Sequence, residues 1–327
     1  MKVPGLLSQA YCALALSRLR LSAVAGGLIG RTPVQDLQPL TVMELRFSGP
    51  VGMAAGLDRY GEFAHRAHLL GLGFVETGTV TLKPEHGHNR GVGVLIDNLQ
   101  RHGWARHDDR APQRCQLGIS ITSNSYTAPL HVAEDYLACM SQGWRFADYF
   151  TINLGSVLSW VRGDLRALST LLEQVKCQQL RLARRSGRYV PVVLKLPFEN
   201  GSFEESMGVV NHVTAAGLDG ILAVFPYSDG KQNASDHIVG MLLLRRLVRV
   251  GCKRLAVISV GGIRGEQDAR ERFAAGAKLL QIHRGLISPG PRLVQAIEVK
   301  GNTAYAMRTD PTFGSSRQTA IGKIGPT

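Results

Sequence analysis

Ser259-Val260-Gly261-Gly262-Ile263, then Ala275-Gly276-Ala277, then Gln281-Ile282-His283-Arg284-Gly285 form the stretch on which the fold turns. Short apolar runs end in glycine or a basic residue, and a helix-like segment at 267–275 joins them. This reads as strand, helix and parallel strand, with a functional loop at the carboxyl end of each strand. Loops after the last two strands of an eightfold barrel commonly make a phosphate site. Glycines there expose backbone N–H groups, a helix N-terminus adds positive potential, and the Arg284 guanidinium suits phosphate geometry. A plain Gly-Gly turn is the competing reading. The paired spacing on both strands favours phosphate.

The same alternation extends back through the chain. Strand-like runs fall at 51–57, 74–80, 117–122, 149–154, 190–196, 220–225, 255–260 and 279–283. Helix-like segments are clearest at 165–185, 204–216, 238–250, 267–275 and 293–300. Val192-Val193-Leu194 and Leu255-Ala256-Val257-Ile258 are continuous apolar runs, as strands buried on both faces require. Eight such units, with no GxGxxG after an early strand, predict an α/β fold, a closed (β/α)8 TIM barrel rather than an open sheet. The barrel is expected over 41–300, with a helical extension at 1–40 and a polar tail at 301–327. Residues 84–116 show no convincing helix and are expected to form a long functional loop.

With 327 residues, 44% of them hydrophobic, the chain has ample material for one barrel core. Lys and Arg number 38 against 25 Asp and Glu, a net charge of +13 that suits nucleic acid, an anionic membrane or an anionic ligand. The dense patch Arg181, Arg184, Arg185 and Arg188 has no interleaved aromatics. It reads as a solvated helix face, so no nucleic-acid partner is expected. Five cysteines lie far apart without a CxxC pair, which points to a reduced cytoplasmic compartment and supports neither a disulfide framework nor a zinc site. His86, His88, His102 and His107 lack metal-ligand spacing, and no metal is expected. No run approaches the roughly 18 apolar residues of a spanning helix. Residues 6–29 are apolar and small but broken by Arg18 and Arg20, unlike a signal peptide. Leu14, Leu16, Leu19, Leu21 and Val24 suit a helix lying on an apolar surface, either the barrel end or a lipid interface.

Chemistry in such a barrel sits where the strands end. Ala54-Ala55-Gly56-Leu57-Asp58-Arg59 would let a flat ligand approach the backbone, with Arg59 to meet its charge. Lys195, in Leu194-Lys195-Leu196-Pro197, is costly to bury unless it meets an anion or acceptor. Facing the N1–C2=O edge of a flavin, it would stabilise the anionic reduced ring. Ser156, in Asn153-Leu154-Gly155-Ser156, is a candidate base that needs a partner, or else a helix cap.

These motifs resemble the dihydroorotate dehydrogenase family, in particular its membrane-associated, quinone-reducing class. The resemblance rests on 51–59 with Gly61-Glu62, on Gly71-Leu72-Gly73-Phe74-Val75-Glu76-Thr77-Gly78-Thr79-Val80-Thr81, on Lys195, on the Gly-Gly and Ala-Gly-Ala motifs, and on Gly285-Leu286 with Gly290-Pro291. It covers residues 40–298. It implies an FMN-dependent oxidoreductase in which Ala55, Gly56, Thr79, Ser120, Asn153, Lys195, Gly240, Gly261, Gly262, Ile282, His283 and Arg284 contact the flavin. Ser156 falls on the family's catalytic serine, and Lys195 acts beside it. The resemblance also implies a quinone or another electron acceptor. With it go peripheral contact with the membrane and a place on the inner face of the cell membrane.

The departures are concentrated on the substrate side. Arg59 replaces a lysine and Ser120 an asparagine. The Asn-Arg-Met-Gly-Phe-Asn-Asn motif is echoed only by Gln100-Arg101-His102-Gly103-Trp104. Val157-Leu158-Ser159 stands for Pro-Asn-Thr, Phe225-Pro226 for Asn-Thr, and His283-Arg284 for Tyr-Ser. Each lost buried hydrogen bond costs about 1–3 kcal/mol, so orotate would be poorly held. Arg59, Arg101, Leu158 and Phe225 are therefore the expected substrate contacts: two cations and two apolar groups, suited to a carboxylate with an apolar body. Two alternatives are an authentic dihydroorotate dehydrogenase of pyrimidine biosynthesis and a non-catalytic paralogue acting as a binding or membrane-associated scaffold.

Overall fold

The computed structural model describes residues 14, 16–21, 39–87, 89–104, 115–155, 164–198, 203–225, 234–251 and 254–297. Eight parallel strands close into a barrel: β3 (Val51–Met53), β4 (Phe74–Val80), β5 (Gln116–Ile121), β6 (Tyr149–Asn153), β7 (Val192–Pro197), β8 (Gly220–Val224), β9 (Ala256–Val260) and β10 (Leu279–Ile282). β10 returns to pair with β3, Leu280 opposite Val51, which seals the ring. Among the described residues, helices alternate with them: α1 (Gly91–Arg101), α2 (Val132–Gly143), α3 (Leu165–Ser186), α4 (Phe203–Ala215), α5 (Ala234–Val250) and α6 (Glu266–Ala275). The eight-stranded parallel barrel that the sequence predicts is the architecture found.

Local chemistry fixes the element ends. The Asp164 carboxylate accepts the Arg166 and Ala167 N–H groups at 2.9 and 3.2 Å and so starts α3. Gly187 ends it at φ 65°, in the left-handed region. Leu168, Leu171, Leu172, Val175 and Leu182 bury one face of α3 against the barrel, at roughly 2 kcal/mol per side chain.

Alternate strand residues point inward and stack in layers. Phe74, Tyr149 and Leu279, at or next to the first residues of β4, β6 and β10, make the barrel floor, and Val193, Leu222 and Ile258 belong to the same apolar cluster. Above it the interior turns polar, with Glu76, Thr151 and Gln281 all buried. That change of layer is what positions the site: an apolar floor supports a charged and hydrogen-bonded tier just below the mouth.

Two features differ from the sequence reading. A hairpin, β1 (Leu40–Val42) with β2 (Leu45–Phe47), had no expected counterpart, because its strands are too short to show a period. It closes the barrel floor, where Phe47 meets Phe74 edge-to-face at 5.5 Å. Residues 84–116, expected to lack a helix, contain α1. Its buried stripe of Val92, Leu95 and Leu99 was hidden among flanking basic and glycine residues. Of the N-terminal extension at 1–40, residue 14, a helical piece at 16–21 and residues 39–40 are described. Leu19 is buried in the core, while Leu14 and Leu21 are exposed. The tail at 301–327 lies outside the described residues. Among the described residues no helix is long and apolar enough to cross a membrane.

Candidate active site

The carboxyl ends of β4, β5 and β6 bring three predicted residues together. The Thr79 and Ser120 hydroxyls stand 2.9 Å apart, and Asn153 Nδ2 donates to Thr79 Oγ1 at 3.0 Å. From behind, the Tyr136 hydroxyl donates to the Asn153 carbonyl at 2.9 Å, fixing the strand end. Beside this row the Gly56 N–H donates to the Gly78 carbonyl at 2.8 Å. Gly56 has φ 100°, and a Cβ there would lie 3.4 Å from His283 Nε2. The ends of the first and last strands thus meet here, and the backbone at Gly56 disfavours a side chain. Ala55, next to it, is half-buried.

Lys195 lies on the inward row of β7, opposite Asn153 in the ladder. Burial pushes its ammonium down from the usual range, and the Glu76 carboxylate pulls it back up. Glu76 is the anion that a buried lysine requires. The sequence reading left it without a role, although an acid inside the apolar run 74–80 was the available signal. His283 faces the same space. Burial first, then Arg284 and Lys195, push its imidazole down to about 4, so it is neutral at pH 7.

The ends of β9 and β10 enclose a cavity of about 440 Å³ lined by Gly261, Gly262, Arg264, His283, Arg284 and Gly285, among others. Two guanidiniums and two glycine-bearing loops around one hollow form a donor set for a phosphate dianion. Arg264 was missed in the sequence, where its place directly after Gly261-Gly262-Ile263 was the only cue. The approach to the α6 N-terminus is fixed by its own acid. Asp268 Oδ2 accepts the Arg264 and Gly265 N–H groups at 2.9 and 3.0 Å, so α6 is capped by its own acid. Ile282 is buried on β10 and also lines the cavity.

Phe225, expected at the substrate, is held in the barrel wall. Its ring stacks on Phe198, centroids 5.4 Å apart, under the Arg272 guanidinium at 3.9 Å. Gly240, expected at the cofactor, backs the same ring, and a Cβ there would lie 3.2 Å from Phe225 Cδ1. Arg101 is exposed at the last residue of α1 and donates to Asn98 Oδ1 at 3.0 Å, away from the cavity lining. Arg59 is half-buried, and its carbonyl accepts the Gly78 N–H at 3.0 Å. Ser156 and Leu158 lie outside the described residues. Among the described residues no group of three or more His, Cys, Asp or Glu is placed to hold a metal.

The family model described as Dihydroorotate dehydrogenase matches residues 38–232 and 237–302. A "Dihydroorotate dehydrogenase (quinone)" of Chromobacterium violaceum is 32% identical over 317 residues, covering 85% of this chain and 87% of its own length. One of the same name from Vibrio parahaemolyticus is 33% identical over 291 residues, covering 80% and 86%. Among solved structures, the Eimeria tenella DHODH in complex with ferulenol superposes with a TM-score of 0.73 at 20% identity, covering 89% of this chain and 92% of that one. That likeness concerns the fold.

Proposed function

Because this chain belongs to the dihydroorotate dehydrogenase family, and is thereby an FMN-dependent oxidoreductase acting on a CH–CH group, we propose that its substrate is a carboxylate with an apolar body rather than dihydroorotate. FMN, when bound, accepts the hydride. The residues that would hold it fit its chemistry: Ala55, Gly56, Thr79, Ser120, Asn153 and Lys195 toward the ring system, and Gly261, Gly262, Arg264, Arg284 and Gly285 toward the phosphate. The glycine-lined, doubly basic cavity beside β9 and β10 is the observation behind that fit. Lys195 supplies the fixed positive charge, and neutral His283 adds bulk without a competing one. In this reading Ser156 takes the substrate proton, assisted by an acceptor or a water path, and Arg59 holds the carboxylate.

The single observation that carries the altered substrate is the Phe198–Phe225–Arg272 stack. Where the resemblance expects an amide turned to the pyrimidine, this chain has a ring engaged in the wall. Such a ring offers no hydrogen bond, and a site built on pyrimidine-edge bonds discriminates strongly once they are missing. Ser120 and Arg59 alter the same side. The names of the relatives favour a second reading, dihydroorotate itself.

Anaerobic addition to the FMN-loaded protein separates the two. Dihydroorotate should leave the flavin absorbance intact, while members of a panel of apolar carboxylic acids bleach it. Bleaching by dihydroorotate at a physiological concentration overturns the altered-substrate reading. The electron acceptor in this proposal is a quinone, met at the inner membrane face by peripheral contact. The exposed Leu14 and Leu21 beside Arg18 and Arg20, and the net charge of +13, support that contact. Flotation with anionic vesicles tests it.

A further inference from the structure

Glu76 has no exposed surface. Its Oε2 accepts from Gln281 Nε2 at 2.7 Å, Thr151 Oγ1 at 2.9 Å and the Tyr149 hydroxyl at 3.0 Å. Its Oε1 is buried without a hydrogen-bond partner. Three donors therefore crowd one oxygen while the other keeps its full acceptor capacity. A buried anion satisfied on one side only is costly unless a cation stands near it. Lys195 is that cation. It lies on the inward row of β7, two register steps above the Thr151–Val193 pair. The attraction acts on both groups, holding the carboxyl down and the ammonium up against burial.

The other titratable groups facing this pair do not replace it. Tyr149, on β6, donates to the same carboxylate and is pushed well above its usual range by burial, so it stays a neutral phenol. His283, beyond β10, is neutral, and Arg284 next to it lines the mouth. Among the described residues Glu76 on β4 is the acid acting on Lys195, and it is buried below the mouth.

We propose that Glu76 is a positioning residue of the reaction centre: its one-sided carboxylate is the fixed counter-charge that keeps Lys195 an ammonium inside the barrel, so that the charge offered at the mouth is set from the layer beneath. Part of its test rests on the FMN reading above, and part does not.

The flavin-independent part follows acylation of Lys195 in the full-length protein across pH, read by mass spectrometry. Only the uncharged amine reacts. Glu76→Gln removes the counter-charge, so Lys195 sheds its proton sooner and labels about tenfold faster at a given pH below its midpoint. The second part follows the midpoint potential of bound FMN against pH. Wild type should show an inflection where Lys195 deprotonates, Glu76→Gln should shift it to lower pH, and Lys195→Met should abolish it. A folded Glu76→Gln protein with unmoved labelling overturns the proposal, as does an unmoved inflection. A protein that stays colourless with FMN overturns the flavin reading instead, and the labelling alone then decides. Should Glu76→Gln not fold, Lys195→Met probes the pair from the other side. Without the ammonium, Glu76 keeps its proton to higher pH, visible as a protonated-acid carbonyl band in the infrared. Absence of that band in folded Lys195→Met protein overturns the proposal.

Discussion

The guanidinium of Arg272 lies 3.9 Å over the ring of Phe225, and from there it donates to the Gly261 carbonyl at 3.2 Å. One buried cation thus ties a helix, a strand end and the phosphate-side loop. Burial pulls its pKa down to about 10, and Asp268 and Glu271 hold it up. Arg272→Met should lose about 2 kcal/mol of stability and bind FMN more weakly, since both the cation–π contact and the loop bond disappear. Arg272→Lys should recover part of each. Urea unfolding and flavin fluorescence titration measure the two effects separately, and unchanged FMN affinity in Arg272→Met would show that the loop holds itself.

Gly261→Ala should be far more damaging than Gly187→Ala. Both glycines have positive φ, 99° and 65°, so each substitution carries a left-handed penalty of about 1–2 kcal/mol. At Gly187 nothing lies within 4 Å of the new methyl group, whereas at Gly261 the Phe225 carbonyl oxygen would be 2.2 Å away. The second clash involves backbone, which has little freedom to give. Thermal melts of the two variants side by side check this, and equal losses would contradict it.

Arg264→Ala and Arg284→Ala should each weaken FMN binding about tenfold to a hundredfold, as the loss of one charge-assisted contact to phosphate predicts. Riboflavin, which lacks the phosphate, should bind all three proteins alike. Equal losses for riboflavin would place these arginines elsewhere on the ligand.

His283 makes stability depend on pH with a definite sign. Its pKa falls from 6.5 to about 4 in the folded state. Below 6.5 the unfolded chain takes up a proton that the folded chain refuses, so stability drops as pH falls from 6.5 towards 4, by about 3 kcal/mol. His65, stacked on His102 and lowered to about 4, adds to the same slope. His283→Gln should make urea midpoints less steep over this window without removing the slope. An unaltered slope would show that His283 titrates freely.

Much of the barrel was legible because buried parallel strands leave continuous apolar runs between amphipathic helices. β4 was readable to its last residue, since Phe74–Val80 pairs along most of its length with β5. Hairpin β1–β2 was not legible, because three-residue strands carry no period, and α1 was masked by the charged residues around it. In the site, Lys195 and the glycines stood out as residues out of keeping with their runs. Glu76 was just as anomalous, yet its meaning depends on Lys195, Gln281 and Thr151 arriving from other strands. Phe225 shows the opposite limit: sequence placed it at a strand end, but only packing reveals that its ring is taken by Arg272 and Phe198.

The floor made by Phe47 over Phe74 has a kinetic consequence. With that end plugged by aromatic rings, the open way to solvent for the hydroxyl and amide protons around Glu76 is upward, toward the mouth. A ligand seated across the mouth would turn the tier into a closed compartment. Deuterium loaded into Thr151, Tyr149 and Gln281 beforehand would then wash out only as fast as the ligand leaves.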